Sequence, residues 1–345
     1  MRQKLIYLFL LISTLMNACG EGDPSVTSTP QPSETPVIPP TLTSTPTIPL
    51  AVLILPADLD PDTSNLYQKT VYDLTQASGY RFQVRNSITP TDLAEPGLQI
   101  VIALPPDPGI AALAATAPQV QFLAINIPGI VAGGNVSALG GEGQTDISAF
   151  LAGYTAALLT NDYRIGMILP KDNPSAQQAF AAFRNGMIFH CGLCRPIFFP
   201  AFCLAENLQS CFPQSVEIPA DEDPTRYGPY ADYLILQRDV ETIFVYPDVA
   251  TQDLLTYIGT TGASIIGTST PEERPGGWVM TIQPDVIKAI QNAWPQLVSG
   301  QGGITVQSPL GLSDVDPSLL SPGKQLDVQE TLDNLQKGLI GINNP

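Results

Sequence analysis

Residues 149–170, AFLAGYTAALLTNDYRIGMILP, decide the fold. Apolar side chains recur at helical spacing from Phe150 to Leu158, and the small residues between them would let this helix pack closely against a sheet. A turn at 161–162 follows, and 165–169 is a continuous apolar run, which is typical of a strand buried on both faces. Because the turn is short, we expect the helix to dock directly on that strand.

Further apolar runs alternate with helical stretches along the chain. This alternation is typical of βαβ units and predicts an α/β fold with doubly wound, mostly parallel sheets. In such sheets, ligands bind outside the carboxyl ends of the strands. The other predicted strands cover 51–55, 80–84, 98–104, 122–126, 242–246 and 264–266.

The N-terminus has the features of an export signal. Two basic residues precede an apolar run over 5–16, and Asn17-Ala18-Cys19 follows it. The run is shorter than the roughly 20 residues that a membrane span needs. We predict a signal peptide over 1–18 that resembles a bacterial lipoprotein signal. The resemblance implies that Cys19 carries lipid and anchors the chain to the outer face of the cell membrane; ordinary secretion without lipid is the alternative.

Residues 19–50 are predicted to be a tether. The stretch 24–50 contains eight prolines and eleven serines or threonines, with a single charge at Glu34. Such a composition has too little apolar surface to offset the entropy cost of folding, and it favours an extended polyproline conformation.

The composition excludes several functional classes. A net charge of −17 makes nucleic acid an improbable partner, because both would repel each other. The single histidine, His190, argues against most histidine-based catalysis and histidine-rich metal sites. No nucleophile elbow or hydrolase motif is present. We therefore expect a monomer without cofactor or metal that is not an enzyme.

The stretch 149–168 resembles a run of the basic membrane lipoprotein family, the nucleoside-binding branch of the type I periplasmic binding proteins. In that family the run lies where the chain passes from the first lobe to the second. FAAFRNG at 180–186 resembles the helix that follows it. The resemblance implies a two-lobed fold, each lobe a doubly wound sheet flanked by helices. It also implies a small polar ligand, nucleoside-like or other, that the lobes close on for ABC-type uptake or sensing.

The same resemblance implies the lobe boundaries. The first lobe would comprise 51–138 plus about 268–300, and the second 139–267 plus about 301–345. Trp278 to Ile282 resembles the strand that returns to the first lobe. The apolar tail at 338–342 is expected to be a final strand or a lobe crossing. The glycine-rich stretch 128–146 is interpreted as a flexible hinge rather than a phosphate-binding loop.

The candidate ligand contacts are polar or aromatic side chains at predicted strand ends and cleft loops. Two family motifs are not kept, because Asn65-Leu66-Tyr67 stands in place of Ser-Phe-Asn and Thr268 lies where the family has a ribose-binding aspartate. These departures favour the alternative function, a ligand-free surface or scaffold lipoprotein that retains the fold. The predicted contacts are Asp58, Asp60, Tyr67, Asn126, Lys171, Asp172, Tyr246, Asp248 and Thr268.

Residues 190–212 form an insertion without a counterpart in the resembled family. It contains Cys191, Cys194, Cys203 and Cys211, and an exported chain favours two disulfides, in any of three pairings. A metal site that includes His190 and a redox-active Cys-x-x-Cys are the alternatives. The apolar content of the insertion predicts a flap that covers something, such as a partner surface.

Overall fold

The computed structural model describes residues 47–140, 144–205 and 211–343. The predicted signal peptide, Cys19 and nearly all of the tether lie outside these residues. Within the described ranges, no helix is both long and apolar enough to cross a membrane.

The first sheet begins with a strand whose five residues are all apolar and all buried. Helices α1 and α2 pack on its two faces, because apolar side chains of each lie in separate core clusters on either side of the sheet. The elements, in chain order, are β1 (Leu50–Ile54), α1 (Pro61–Ser78), β2 (Arg81–Arg85), β3 (Leu98–Ala103), α2 (Ile110–Thr116), β4 (Gln121–Ile125) and β5 (Val136–Leu139).

The next part of the chain builds a second sheet around one continuous core. Its elements are α3 (Thr145–Leu159), β6 (Ile165–Pro170), α4 (Pro174–Cys191), α5 (Ala201–Ala205), β7 (Gln214–Ile218), α6 (Gly228–Asp232), β8 (Thr242–Val245), α7 (Gln252–Thr261), β9 (Ser264–Gly267) and β10 (Trp278–Pro284). The last elements are α8 (Val286–Val298), β11 (Thr305–Val306), β12 (Leu310–Ser313) and α9 (Pro322–Gln336).

The strand orders are β11-β5-β4-β3-β1-β2 in the first sheet and β12-β10-β9-β8-β6-β7 in the second. We call each sheet with its packed helices a lobe. All neighbours pair in parallel except β12, which runs antiparallel to β10. The prediction of an α/β fold with two mostly parallel, helix-flanked sheets is confirmed.

Among the described strands, the chain passes between the two sheets three times: after β5, after β10 and after β11. The expectation that Trp278 to Ile282 returns to the first lobe is wrong, because β10 pairs with β9 in the second sheet. The reason is packing. The Trp278 ring lies where a side chain at Gly267 would be, so the glycine leaves the space that this ring fills when β10 packs beside β9. The return comes one element later, since α8 packs on the first sheet through Ile290 and Trp294.

The C-terminal tail also differs from expectation. Residues 338–342 form turns rather than a strand, and Ile340 and Ile342 pack against the core of the second lobe. The Asn185 side-chain amide fixes this tail by donating a hydrogen bond to the Ile342 carbonyl at 2.8 Å. The helix α9 precedes the tail and was not predicted from the sequence.

Helices α3 and α4 pack so closely that their backbones touch. A methyl group at Gly153 would overlap the backbone of Phe183, and one at Gly186 would overlap the backbone of Phe150. The contact is therefore reciprocal, with one glycine on each helix. Both glycines are buried, so neither helix could shift outward without opening the core.

This contact predicts the effect of Gly186→Ala. Alanine favours a helix by about 1 kcal/mol over glycine, but a methyl group forced against backbone costs about 3 kcal/mol. We therefore expect a net loss of about 2 kcal/mol in the free energy of unfolding, measured by urea denaturation. The control is Gly323→Ala in α9, where a methyl group meets no atom within 4 Å. A stability loss in the control, or none at Gly186, would contradict the contact.

Candidate functional site

A cavity of about 540 Å³ lies where the two lobes meet. Its volume is within the range of small-molecule sites, about 300–1,000 Å³. The first turns of α1, the end of β4, the start of α8 and the strands β10 and β12 surround it. Its lining residues are Thr63, Leu66, Tyr67, Asn126, Gln283, Pro284, Asp285, Val286, Ile287, Gly311, Leu312 and Ser313.

The N-terminus of α1 places three side chains in the cavity. Asp60 caps the helix by accepting a hydrogen bond from the Thr63 backbone N–H at 2.9 Å, which also lowers the pKa of Asp60. Pro61 occupies the first helical position. Thr63, Leu66 and Tyr67 then follow at intervals of three and four residues, so they share one helix face. Burial raises the pKa of the Tyr67 hydroxyl.

Asn126 enters the cavity from the carboxyl end of β4. Its backbone is left-handed, with φ of 50°, a conformation that asparagine tolerates better than most residues. Its N–H donates to the Leu139 carbonyl at 2.7 Å, which holds this turn against β5. The amide side chain of Asn126 is thereby presented at the strand end where ligands of parallel sheets bind.

The second lobe contributes an amide and a hydroxyl that are bonded to each other. Gln283 on β10 donates from Nε2 to the Ser313 Oγ on β12 at 3.0 Å. Directly after β10, Asp285 caps α8 by accepting from the Lys288 N–H at 2.8 Å. Gly311 lies against the Asp285 side chain, where a larger residue would have little space. The chain therefore crosses from the second lobe to the first at the wall of the cavity.

Asp314 fixes the strand ends next to this wall. Its Oδ2 accepts hydrogen bonds from the hydroxyls of Thr270 at 2.7 Å, Thr281 at 3.0 Å and Ser313 at 3.3 Å. Arg274 contacts its Oδ1 at 3.2 Å. Burial alone would raise the pKa of Asp314, but these hydroxyls and Arg274 lower it below the ordinary value. The carboxylate therefore ties the loop after β9 to β10 and β12.

The lining chemistry suits an uncharged polar molecule. It offers hydroxyls, two side-chain amides, one aromatic ring and several aliphatic groups, and it contains no lysine or arginine. Its one carboxylate, Asp285, is engaged as a helix cap. Among the described residues, no group of three or more histidine, cysteine, aspartate or glutamate side chains could hold a metal ion.

Of the nine predicted ligand contacts, the structure brings Tyr67 and Asn126 together at this cavity. The other seven are absent from its lining. Asp60 is the cap of α1, and Tyr246 is buried in the core of the second lobe. Asp248 accepts a hydrogen bond from Asn173 at 3.3 Å. Lys171 and Asp172 are exposed after β6, Asp58 is exposed after β1, and Thr268 follows β9.

The contribution of the second lobe to the cavity was not predicted from the sequence. Gln283 was overlooked because β10 was assigned to the first lobe, and Ser313 because the segment around it was not predicted as a strand. One signal was present: Pro284-Asp285 before an amphipathic stretch is typical of a helix start. That signal marks the end of β10 and therefore the lobe crossing.

The cysteines of the insertion lie in two pairs. The sulfur atoms of Cys191 and Cys194 are at bonding distance, with Cα atoms 5.0 Å apart. Those of Cys203 and Cys211 are likewise paired, with Cα atoms 5.5 Å apart. His190 packs its ring edge-on against Tyr154 at 5.3 Å, and burial lowers its pKa. Of the three pairings that the sequence left open, the structure selects this one.

No protein-family model matches the chain, and no curated protein matches it either. Several solved structures match it. An ABC transporter solute-binding protein from Conexibacter woesei superposes with a TM-score of 0.53 at 15% identity, over 86% of this chain and 99% of that one. An ABC transporter solute-binding protein from Aeropyrum pernix superposes with a TM-score of 0.40 at 16% identity, over 85% of this chain and 87% of that one. A LacI-family transcriptional regulator from Enterococcus faecium with bound ribose superposes with a TM-score of 0.36 at 14% identity, over 77% of this chain and 97% of that one.

At such identities the likeness defines the fold, and the fold alone. The Conexibacter woesei protein shares the two-lobed arrangement over nearly its whole length. The chain accordingly has a type I periplasmic-binding-protein-like fold.

The Asp314 cluster predicts a pH-dependent stability. Asparagine keeps the shape and the left-handed backbone but removes the charge, so Asp314→Asn should cost about 2 kcal/mol at about pH 7. Because the folded-state pKa is lowered, the stabilising contribution is present above the ordinary value of 3.8 and is lost as the pH falls through the folded-state pKa. The difference between the two proteins in urea denaturation should therefore shrink near pH 3.

The control for this prediction is Asp73→Asn. Asp73 forms an exposed ion pair with Lys69 at 2.6 Å, so its loss should change stability by about 0.5 kcal/mol or less. Equal costs for both variants, or a cost at Asp314 that persists unchanged at low pH, would show that the carboxylate does not hold the strand ends together.

Proposed function

We propose that the chain is a solute-binding protein whose two lobes close on a small, uncharged polar solute. One observation carries this proposal: the cavity between the lobes is lined by polar side chains from both of them. Tyr67 and Asn126 come from the first lobe, and Gln283 and Ser313 from the second. A solute held between them would bridge the lobes, which is how binding energy can drive closure.

The class of solute is inferred from the charged side chains of the cavity lining. A carboxylate or phosphate buried in this cavity would meet no cationic side chain, and burying an unpaired charge is costly. A cation would meet only Asp285, whose oxygen already accepts from Lys288. Amides and hydroxyls can both donate and accept, so they suit hydroxyl groups and neutral heterocycles. The aromatic face of Tyr67 suits a flat or apolar part of the solute.

The cellular setting is also proposed. The leader and Cys19 support an extracytoplasmic protein that is lipid-anchored to the cell membrane, and the proline-rich tether supports a domain held at a distance from it. An ABC-type permease or a sensor is the partner that such an arrangement would serve. We also propose that each lobe consists of one sheet with its packed helices, and that the chain crosses between the lobes after β5, β10 and β11.

Two observations favour a second candidate, a surface lipoprotein that keeps the fold without a ligand. Seven of the nine predicted ligand contacts lie outside the cavity, and the two family ligand motifs are altered. The two candidates differ in a single property, the binding of a solute, so one experiment separates them.

That experiment is a thermal-shift screen of the chain from Thr47 onward, which forms one compact unit. A solute at a hundred times its dissociation constant should stabilise the protein by about 2.7 kcal/mol and raise the Tm by a few degrees. We expect hits among nucleosides or sugars, and none among amino acids, nucleotides or divalent metals. A flat screen, with no small molecule co-purifying in native mass spectra, would favour the scaffold candidate.

Two variants test whether the solute bridges the lobes. Tyr67→Leu removes an aromatic face in the first lobe and Gln283→Ala removes an amide in the second, and each should weaken binding about tenfold by calorimetry. The control is Gln119→Ala, because Gln119 is exposed at the opposite edge of the first sheet. A solute whose affinity depends on only one lobe would contradict closure around it.

A further inference from the structure

A second cavity, of about 450 Å³, adjoins the solute cavity, and the proposed function does not use it. The ends of β4 and β5, the strand β11 and the loop 127–132 surround this second cavity, which we call the side pocket. Asn126 lines both cavities. The volume of the side pocket is within the range of small-molecule sites.

The floor of the side pocket consists of small side chains on three adjacent strands. Ala124 of β4 pairs in register with Ala138 of β5, and Ala138 pairs with Thr305 of β11. Two residues earlier on the same face of the sheet, the register pair is Phe122 and Val136, which are large and buried. The packed core therefore ends after Phe122 and Val136, and a hollow remains at the carboxyl ends of the strands.

The side chains around this hollow are apolar. Among the described residues that line it, none is charged, and only Asn126 and Thr305 have polar side chains. Its walls include Ile127, Ile130 and Val131, and Val131 is 84% exposed. A polar group placed here would lose water without gaining enough partners, whereas an apolar group would be favourably removed from water. The side pocket therefore suits an apolar group.

The two cavities lie on opposite faces of the first sheet and meet at its carboxyl edge. Tyr67 and Val286, which line the solute cavity, pack with the core on the α1 side. Ala124 and Ile127, which line the side pocket, belong to the core on the α2 side. A single molecule at this edge can therefore contact both cavities as it passes Asn126.

The Asn126 side chain is available to bind at this junction. Within the described residues, its amide group makes no hydrogen bond. Its Oδ1 points toward Gly140 of the side pocket, where a Cβ atom would lie 3.5 Å away. The amide can thus bond the polar part of a molecule next to the point where an apolar part begins.

We propose that the solute is amphiphilic: its polar part lies between the lobes, and an apolar substituent of several carbon atoms lies in the side pocket. This inference rests on the proposed function and narrows its solute class. The solute itself is the occupant of the side pocket because the pocket continues from the solute cavity at Asn126. Both cavities also lie at the strand ends where ligands of parallel sheets bind.

The test is calorimetry of the chain from Thr47 onward with two matched pairs of probes. One pair is methyl and hexyl β-glucoside, and the other is adenosine and N6-hexyladenosine. Because the members of a pair differ only in apolar carbon atoms, we expect the hexyl member to bind about thirtyfold more tightly.

Two variants locate the gain in affinity that the hexyl group provides. Ala138→Leu fills the floor, and Val131→Asp places a charge on an exposed wall without touching the core. In each variant the gain should fall to about threefold or less, while the shorter probes bind within about twofold of the original affinity. The control is Ala115→Leu on the exposed face of α2, which lines neither cavity and should keep the full gain.

The inference fails if the hexyl members bind no more tightly than the shorter ones, or if the gain persists in both pocket variants. Binding of the shorter probes in either case would leave the proposed function standing. If no member of either pair binds, a nucleoside or sugar solute is contradicted as well, and both proposals fail together.

Discussion

The backbone contact between α3 and α4 is the constraint on which the second lobe depends. Gly153 and Gly186 let the two helices touch, and α3 in turn packs on β6, β8 and β10. Since β10 carries Gln283 to the cavity wall, the position of that side chain follows from the helix contact. The other end of α4 leads directly into the insertion. One close contact therefore positions both the cavity wall and the start of the cysteine-rich insertion.

Elements with a strong pattern could be predicted from the sequence in both lobes, whereas the placement of some of them could not. The helix α3 and the strand β6 follow from strong periodicity and an unbroken apolar run. The sheet to which β10 belongs cannot be predicted in this way, because an apolar run has the same pattern in either sheet. In the structure, Trp278 of β10 fills the space beside Gly267 of β9. The strand β12 is four residues long with a glycine in it, which leaves almost no pattern to detect. Local patterns in the sequence were sufficient to predict individual helices and strands, whereas the pairing of neighbouring strands depends on tertiary packing.

The same limit applies to the site. Tyr67 and Asn126 could be named because strand ends and the loops after them can be located along the chain. Gln283 and Ser313 could not, because their strands had been misassigned or missed. Asp60 was a candidate because it follows the end of the first strand, but its carboxylate is used within the structure, where it accepts a hydrogen bond from the Thr63 N–H. Asp285 has a similar role at α8. Asp60 and Asp285 thus serve as helix caps, and amides and hydroxyls are the remaining polar side-chain groups of the cavity lining.

The proposed function requires that the two lobes close around a solute held by both. Small-angle X-ray scattering of the chain from Thr47 onward, titrated with a solute identified by thermal shift, tests it most directly. We expect the radius of gyration to decrease, and the decrease to saturate at the solute concentration expected from the calorimetric dissociation constant. A scattering curve that stays the same while the solute binds would contradict closure of the lobes.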